Sequence, residues 1–181
     1  MDTSLSLLHE TLSKWYGIRR GFIRELSIVP PSRFSFRPTL EMRSIAEIVQ
    51  HVLEYTIITV EELVRHDTNL HRASMSQLVN VYAPNVARND TQEKLTNLLV
   101  DQYRDADIRL RELGDLHMLQ LVRRLDGSSD TRFSLLHEAI QHEMYHRGQL
   151  TVYLRLLGLV PAATAENPSG FSGAFNSTGI I

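Results

Sequence analysis

Cysteine is absent from the 181 residues. That removes disulfides, thiolate nucleophiles and cysteine-bound zinc, so any metal must be held by His, Asp, Glu, backbone or water. An excess of one charge is also missing. The net charge is −2 and the pI is near 6.4, so no global basic field is present to hold nucleic acid. The arginines at 19, 20, 24, 33, 37 and 43 do cluster between the first two helical segments, and a solvated surface with ordinary ion pairs is expected of them. No stretch approaches the ~18 uninterrupted apolar residues of a membrane span. The start, Met-Asp-Thr-Ser, lacks the basic-then-apolar order of a signal peptide. No repeat of about 20–50 residues is visible. These absences lead to the expectation of a cytoplasmic protein without nucleic-acid or membrane partners. What the chain does have is 43% hydrophobic residues, enough for one well-filled core.

The apolar spacing is helical. Leu5, Leu8, Leu12, Trp15, Ile18, Phe22 and Leu26 recur at steps of three or four, predicting a first helix over 5–26 that stops at Pro30 and Pro31. A loop over 32–42 carries Phe34 and Phe36. Ser44-Ile-Ala-Glu47 fits a capping box and opens a second helix to about Arg65, whose apolar arc is wide enough for burial on more than one side. Residues 67–89 are too long for a tight turn and are read as containing a short helix or a lid. Asp90-Thr-Gln-Glu93 opens a third helix, with Gly114 as its stop. Residues 115–125 read as a short helix or as one strand of a hairpin closing at 131–133. A last helix over 131–157 ends near Gly158 with Pro161 beyond. Four principal helices with long connections make an all-α four-helix bundle, with 1–161 as the domain and 162–181 as an extended C-terminal tail that is usually mobile in such compositions. In that tail Phe171, Phe175, Ile180 and Ile181 offer docking groups for the bundle or a second subunit.

The last helix holds His142 and His146, whose i,i+4 spacing stacks their side chains on one face. With eight histidines in the chain, roughly 0.35 such pairs arise by chance, so spacing alone decides little. Their position says more, because both fall on the apolar stripe of Leu135, Ala139, Leu150, Tyr153 and Leu157 that should face the core. Two readings follow: neutral core histidines with ordinary partners, or two ligands of one cation that satisfies both. His51, at the edge of the second helix's apolar arc near Tyr55 and Ile58, is read either as a structural histidine or as a third group on the helix seam. Glu143 and Arg147 each lie about 100° from the neighbouring histidine. Glu143 is therefore expected at the surface and Arg147 in a structural ion pair. Tyr145 and Gln149 flank the stripe as possible pocket residues or as ordinary packing. His9, His66, His71, His117 and His137 have no comparable support.

These residues resemble the DinB-like (DinB/YfiT) superfamily of four-helix bundles. The resemblance rests on His142-Glu-Met-Tyr-His146-Arg-Gly-Gln-Leu150, followed by Tyr153-Leu-Arg155, Gly158 and Pro161. Arg43-Ser-Ile-Ala-Glu-Ile-Val-Gln-His51 and Trp15 add weaker matches, and the likeness spans about residues 5–161.

The resemblance implies a triad, His51 with His142 and His146, holding a divalent metal with an open position, zinc or nickel by ligand type. It also implies a metal-dependent enzyme, foremost a low-molecular-weight-thiol S-transferase acting on small electrophilic substrates. The thiol must come from a cosubstrate because the chain has no cysteine. Two alternatives stay open: a hydrolase using metal-bound hydroxide, and a non-enzymatic bundle with a structural metal. A homodimer through an apolar helix face is a further expectation.

Overall fold

The computed structural model describes residues 6–166. Helix α1 (Leu7–Ile28) is capped by Ser6, whose side chain accepts the His9 amide, and it gives way at Val29 before Pro30. Helix α2 (Ile45–Val64) opens on the expected reciprocal capping box between Ser44 and Glu47. The long connection that follows contains α3 (Met75–Tyr82), with its own capping box between Ser74 and Gln77.

Helix α4 (Gln92–Met118) is capped by Thr91, one residue later than the sequence suggested. Its regular part ends at Gly114, whose φ of 73° is left-handed, and one more turn follows. A two-stranded antiparallel hairpin, β1 (Leu121–Arg123) with β2 (Ser129–Thr131), then leads into α5 (Arg132–Leu156). Both alternatives for this stretch, helix and hairpin, therefore occur in succession. Helix α6 (Ala162–Glu166) comes last; Phe171, Phe175, Ile180 and Ile181 lie outside the described residues.

Side-chain pairs fix the directions. Trp15 meets Glu143 and Glu25 meets Arg147, so α1 and α5 run parallel. Leu8 meets Asp115 while Gln92 meets Leu26, so α4 opposes α1. Glu61 meets Arg109 and Leu63 meets His117, so α2 runs with α4. Tyr153 meets Arg43 and Arg132 meets Leu63, so α2 opposes α5. In chain order the four long helices run up, down, down, up. A link between the parallel helices α2 and α4 must travel back along the bundle, which accounts for the length of the α3 segment. Helices α1 and α2 each pack on both α4 and α5. Among the described residues no helix is long and apolar enough to cross a membrane.

Two apolar clusters fill the interior. One gathers Leu12, Trp15, Leu63, Leu110 and Leu136, and the other gathers Phe22, Leu26, Val49, Leu99 and Leu150. Along α1 the residue between them is Arg19, and along α5 they are Glu143 and His146, all buried. A polar layer therefore crosses the middle of the bundle.

The buried Arg132 sets the register of α2 against α5. Its guanidinium donates to the carbonyls of Leu63 (2.8 Å) and His66 (3.2 Å) and to the Thr68 hydroxyl (2.6 Å), closing the C-terminus of α2. From that anchor, His51 lies about 18 Å back along α2 and His142 about 15 Å along α5, at 1.5 Å per residue. The two imidazoles meet at nearly one level.

Candidate metal centre

The three histidines come together. His142 Nε2 lies 3.0 Å from His51 Nε2 and 3.2 Å from His146 Nε2, and the ligand atoms of all three fall within 4.8 Å of one another. Nitrogens about 2.0–2.1 Å from a tetrahedral zinc stand about 3.3 Å apart, so the spacing of the two close pairs suits a shared cation.

The protonation states suit it too. Burial, followed by the charges of Arg43 and His146, pushes His51 down to about 4. Burial and then its two imidazole neighbours push His142 down to about 3. His146 is lowered chiefly by burial, against an opposing hydrogen bond from Gln149. Neutral imidazoles present lone pairs, and three of them converge on one point. The cluster could hold a metal ion.

A hydrogen-bond chain orients one ligand candidate. Gln149 Oε1 lies 2.9 Å from His146 Nδ1, Gln149 Nε2 donates to the Tyr153 hydroxyl (3.2 Å), and that hydroxyl donates to the Arg43 carbonyl (3.0 Å). A proton on Nδ1 leaves the Nε2 lone pair facing the cluster. His142 is held differently. Its Nδ1 is buried without a hydrogen-bond partner, and its ring stacks on Tyr55 at 4.2 Å and 23°. Burial first, then the Glu138 carboxylate, push the Tyr55 phenol up and keep it protonated.

Two cavities flank the cluster. A shallow, mostly apolar one of about 540 Å³ is lined by Met42, Met144, Tyr145, Gln149, Val152 and Tyr153. It adjoins His146 through Gln149 and through the Tyr145 ring, 5.1 Å away. A second, of about 190 Å³, lies under the hairpin; Tyr55 and Leu135 form part of its wall beside Arg124, Asp126 and Glu138. Tyr145 and Gln149 thus line the first cavity, while Tyr55 separates the second from His142.

Glu143 departs from the surface position that its wheel angle suggested. It is fully buried, accepting two bonds from Arg19 (2.6 and 2.9 Å) and one from the Trp15 indole (2.8 Å). Arg19 accordingly leaves the solvated arginine cluster and also donates to the Leu99 carbonyl at 2.8 Å. An angle of 100° from an inward histidine points to solvent on a helix with one buried face. Helix α5 packs on both α1 and α2, so that angle points to α1 instead.

Arg147 does form an ion pair, 3.8 Å from buried Glu25, and its guanidinium lies over Gly21, where a Cβ would come within 2.5 Å of it. Glu25 also accepts the amides of Ala162 (2.8 Å) and Ala163 (3.2 Å), tying α6 to α1. His71 and His117 contact the backbone carbonyls of Leu125 and Leu63, and His137 contacts that of Phe133 one turn back on its own helix. Sequence reasoning missed Tyr55 as a site residue, although its position one turn beyond His51 on the same helix face was the available signal.

Comparison with known proteins agrees with this architecture. No curated protein sequence matches the chain. Among solved structures, a DinB-like protein of Bacillus subtilis superposes with a TM-score of 0.62 at 20% identity, over 82% of this chain and 92% of that one. A putative DinB-family member of Exiguobacterium sibiricum gives 0.61 at 24% identity, over 86% and 95%. The mycothiol-dependent maleylpyruvate isomerase gives 0.63 at 17% identity, over 79% of this chain but 60% of that longer one. At these identities the superpositions establish the shared fold. The DinB family itself matches residues 1–169, nearly the whole length, and the chain belongs to that family.

Proposed function

We propose that the protein is a metal-dependent enzyme that transfers a low-molecular-weight thiol to a small electrophilic substrate, with His51, His142 and His146 as the metal ligands. The observation that carries this reading is the convergence of three neutral Nε2 atoms between two cavities. A hydrolase needs one organic substrate site, whereas a thiol transferase needs two. The isomerase among the structural relatives is thiol-dependent by its own description, which fits the same chemistry.

Zinc or nickel held there would keep its positive charge against neutral ligands and lower the pKa of a bound thiol, as imidazole sites allow. In the transfer the thiol gives its proton to solvent water, a carbon–sulfur bond forms as the bond from that carbon to the leaving group breaks, and the leaving group departs with the electron pair of the broken bond. The chain's own residues orient and shelter the reactants. Gln149 and Tyr153 fix the His146 ring, Tyr55 fixes the His142 ring, and the Met42–Tyr145–Val152 surface offers apolar area to the electrophile. The Arg43 charge, felt at all three histidines, favours an anionic sulfur over a neutral one. Glu143 is not proposed as a base, because Arg19 and Trp15 occupy its carboxylate.

Elemental analysis of purified, untagged protein is the test, beside His51→Ala and His142→Ala. The expected result is about one zinc or nickel per chain in the wild type and loss in both variants. Metal-free wild type that also takes up neither added ion would overturn the site. Turnover of electrophiles that requires added thiol supports the transferase, and turnover without thiol would replace it with the hydrolase.

A further inference from the structure

Helix α5 buries two of its sides against α1 and α2. Its third side is apolar as well. Met144, Tyr145, Val152 and Leu156 project there and are 53, 71, 53 and 59% exposed. Met144, Gly148, Val152 and Leu156 follow at steps of four, so they form one row along the helix, the kind of ridge that interlocks in the commonest helix crossing. Met42, from the loop before α2, extends this surface across the shallow cavity. A helix with apolar residues on every side is normally buried on every side, and among the described residues nothing covers this one. Gly148 sharpens the point, because a glycine inside a helix is destabilising relative to alanine. At Gly21 a Cβ would strike the Arg147 guanidinium, which accounts for that glycine; at Gly148 it would meet nothing within 4 Å. A single chain gains nothing from the missing side chain there, whereas a second helix crossing over Gly148 would use the space.

Charge and area favour another copy of this chain as the occupant. Residues 144–156 contain no carboxylate. Their two arginines are engaged within the chain, Arg147 with Glu25 and Arg155 with the Thr151 carbonyl (3.2 Å) and Thr164 (3.3 Å). A two-fold axis sets a patch against its own image, and the exposed row carries no charge to repel itself. The open parts of its four large side chains and Met42 amount to roughly 500 Å², at the upper end for a monomer and, with a polar rim, near the ~800 Å² per partner of a standard interface. We propose that the protein is a homodimer in which the α5 helices of two copies cross at Gly148, each roofing the cavity beside the other copy's His146. The cavity of about 540 Å³, shallow in one chain, thereby gains an outer wall and the enclosure that small-molecule sites need. Such a dimer does not depend on which reaction the histidine centre performs.

Light scattering of the purified full chain after size exclusion, at about 1–100 μM, reads the mass. The expected value is twice the 20.7 kDa of one chain. Val152→Asp sets unpaired carboxylates into the contact and should return the mass to that of one chain, while Val100→Asp, at another exposed valine on α4, should leave the dimer intact. Gly148→Leu meets nothing in its own chain and favours the helix, so its circular dichroism should stay native while the dimer dissociation constant rises about tenfold or more. Gly148→Cys supplies the chain's only cysteine and should form an intersubunit disulfide under mild oxidation, where Val100→Cys should not. A wild type of single-chain mass at every concentration would overturn the dimer. If Phe171→Ser/Phe175→Ser then opened the face to a hydrophobic dye, its occupant would be the chain's own C-terminal segment. A dimer that survives both Val152→Asp and Gly148→Leu would place the interface on another face and overturn this one.

Discussion

The buried pair of Arg19 and Glu143 allows the sharpest test of how this bundle is held. Glu143→Ala removes three acceptor contacts at once: two to Arg19, at 2.6 and 2.9 Å, and one to the Trp15 indole, at 2.8 Å. The guanidinium remains fully enclosed, with the Leu99 carbonyl and Gln102 as its remaining partners. Leaving one member of a buried ion pair uncompensated costs about 3–5 kcal/mol. For a chain of this size each kcal/mol moves the midpoint by about 2–4 °C, so the expected fall is about 6–20 °C.

Urea unfolding followed by far-ultraviolet circular dichroism, with calorimetry for the midpoint, measures it directly. The double variant Arg19→Met/Glu143→Leu should recover most of the loss, because it removes the charge along with its partner. It still strands the indole N–H, at about 1–3 kcal/mol. A Glu143→Ala protein within about 1 kcal/mol of the wild type would refute the reasoning, since that is the behaviour of a solvated ion pair.

Chelation should destabilise the metal-loaded wild type. At an ion concentration a thousand times Kd, binding contributes about 4 kcal/mol. The midpoint should then fall by about 8–16 °C in calorimetry, and in His142→Ala it should not respond. Without metal, the histidines make stability acid-sensitive. The folded pKa values of His51 (about 4) and His142 (about 3) lie below the unfolded value of 6.5, so the unfolded chain binds protons first. Their contribution is present above about pH 6.5 and is lost as pH falls towards 4 and then 3; urea midpoints across that window should decline less steeply in His51→Gln. Gln149→Ala releases His146 Nδ1 and should weaken zinc affinity about 10- to 100-fold in competition with a chromophoric chelator. Glu25→Ala frees the amides of Ala162 and Ala163, and hydrogen exchange should quicken there while the protection of α2 is unchanged.

The four long helices and their ends were legible because each signal is local: three-and-four spacing, Ser44 with Glu47, and the prolines after Val29. The site was legible only in part. His142 and His146 share one helix face and declare themselves, whereas His51 sits 91 positions away and joined them only through the family resemblance. Glu143 and Arg19 were misplaced because a helical wheel shows one apolar face at a time, and α5 is covered on two. The charged cavity was invisible because Asp126 belongs to a turn, Glu138 to a helix and Tyr55 to another helix. Only the tertiary fold brings them to one wall.

Trp15 is the chain's sole tryptophan. Its indole is fully buried and donates to the carboxylate of Glu143, the residue next to His142. The molecule therefore has a single indole, selectively excited above the absorption of its six tyrosines, placed beside its most chemically loaded layer. Its emission should be that of a shielded indole, and it should change when the polar layer is disturbed or when a quenching ion such as nickel arrives nearby. Occupancy and folding can thus be followed by light alone, with no label added.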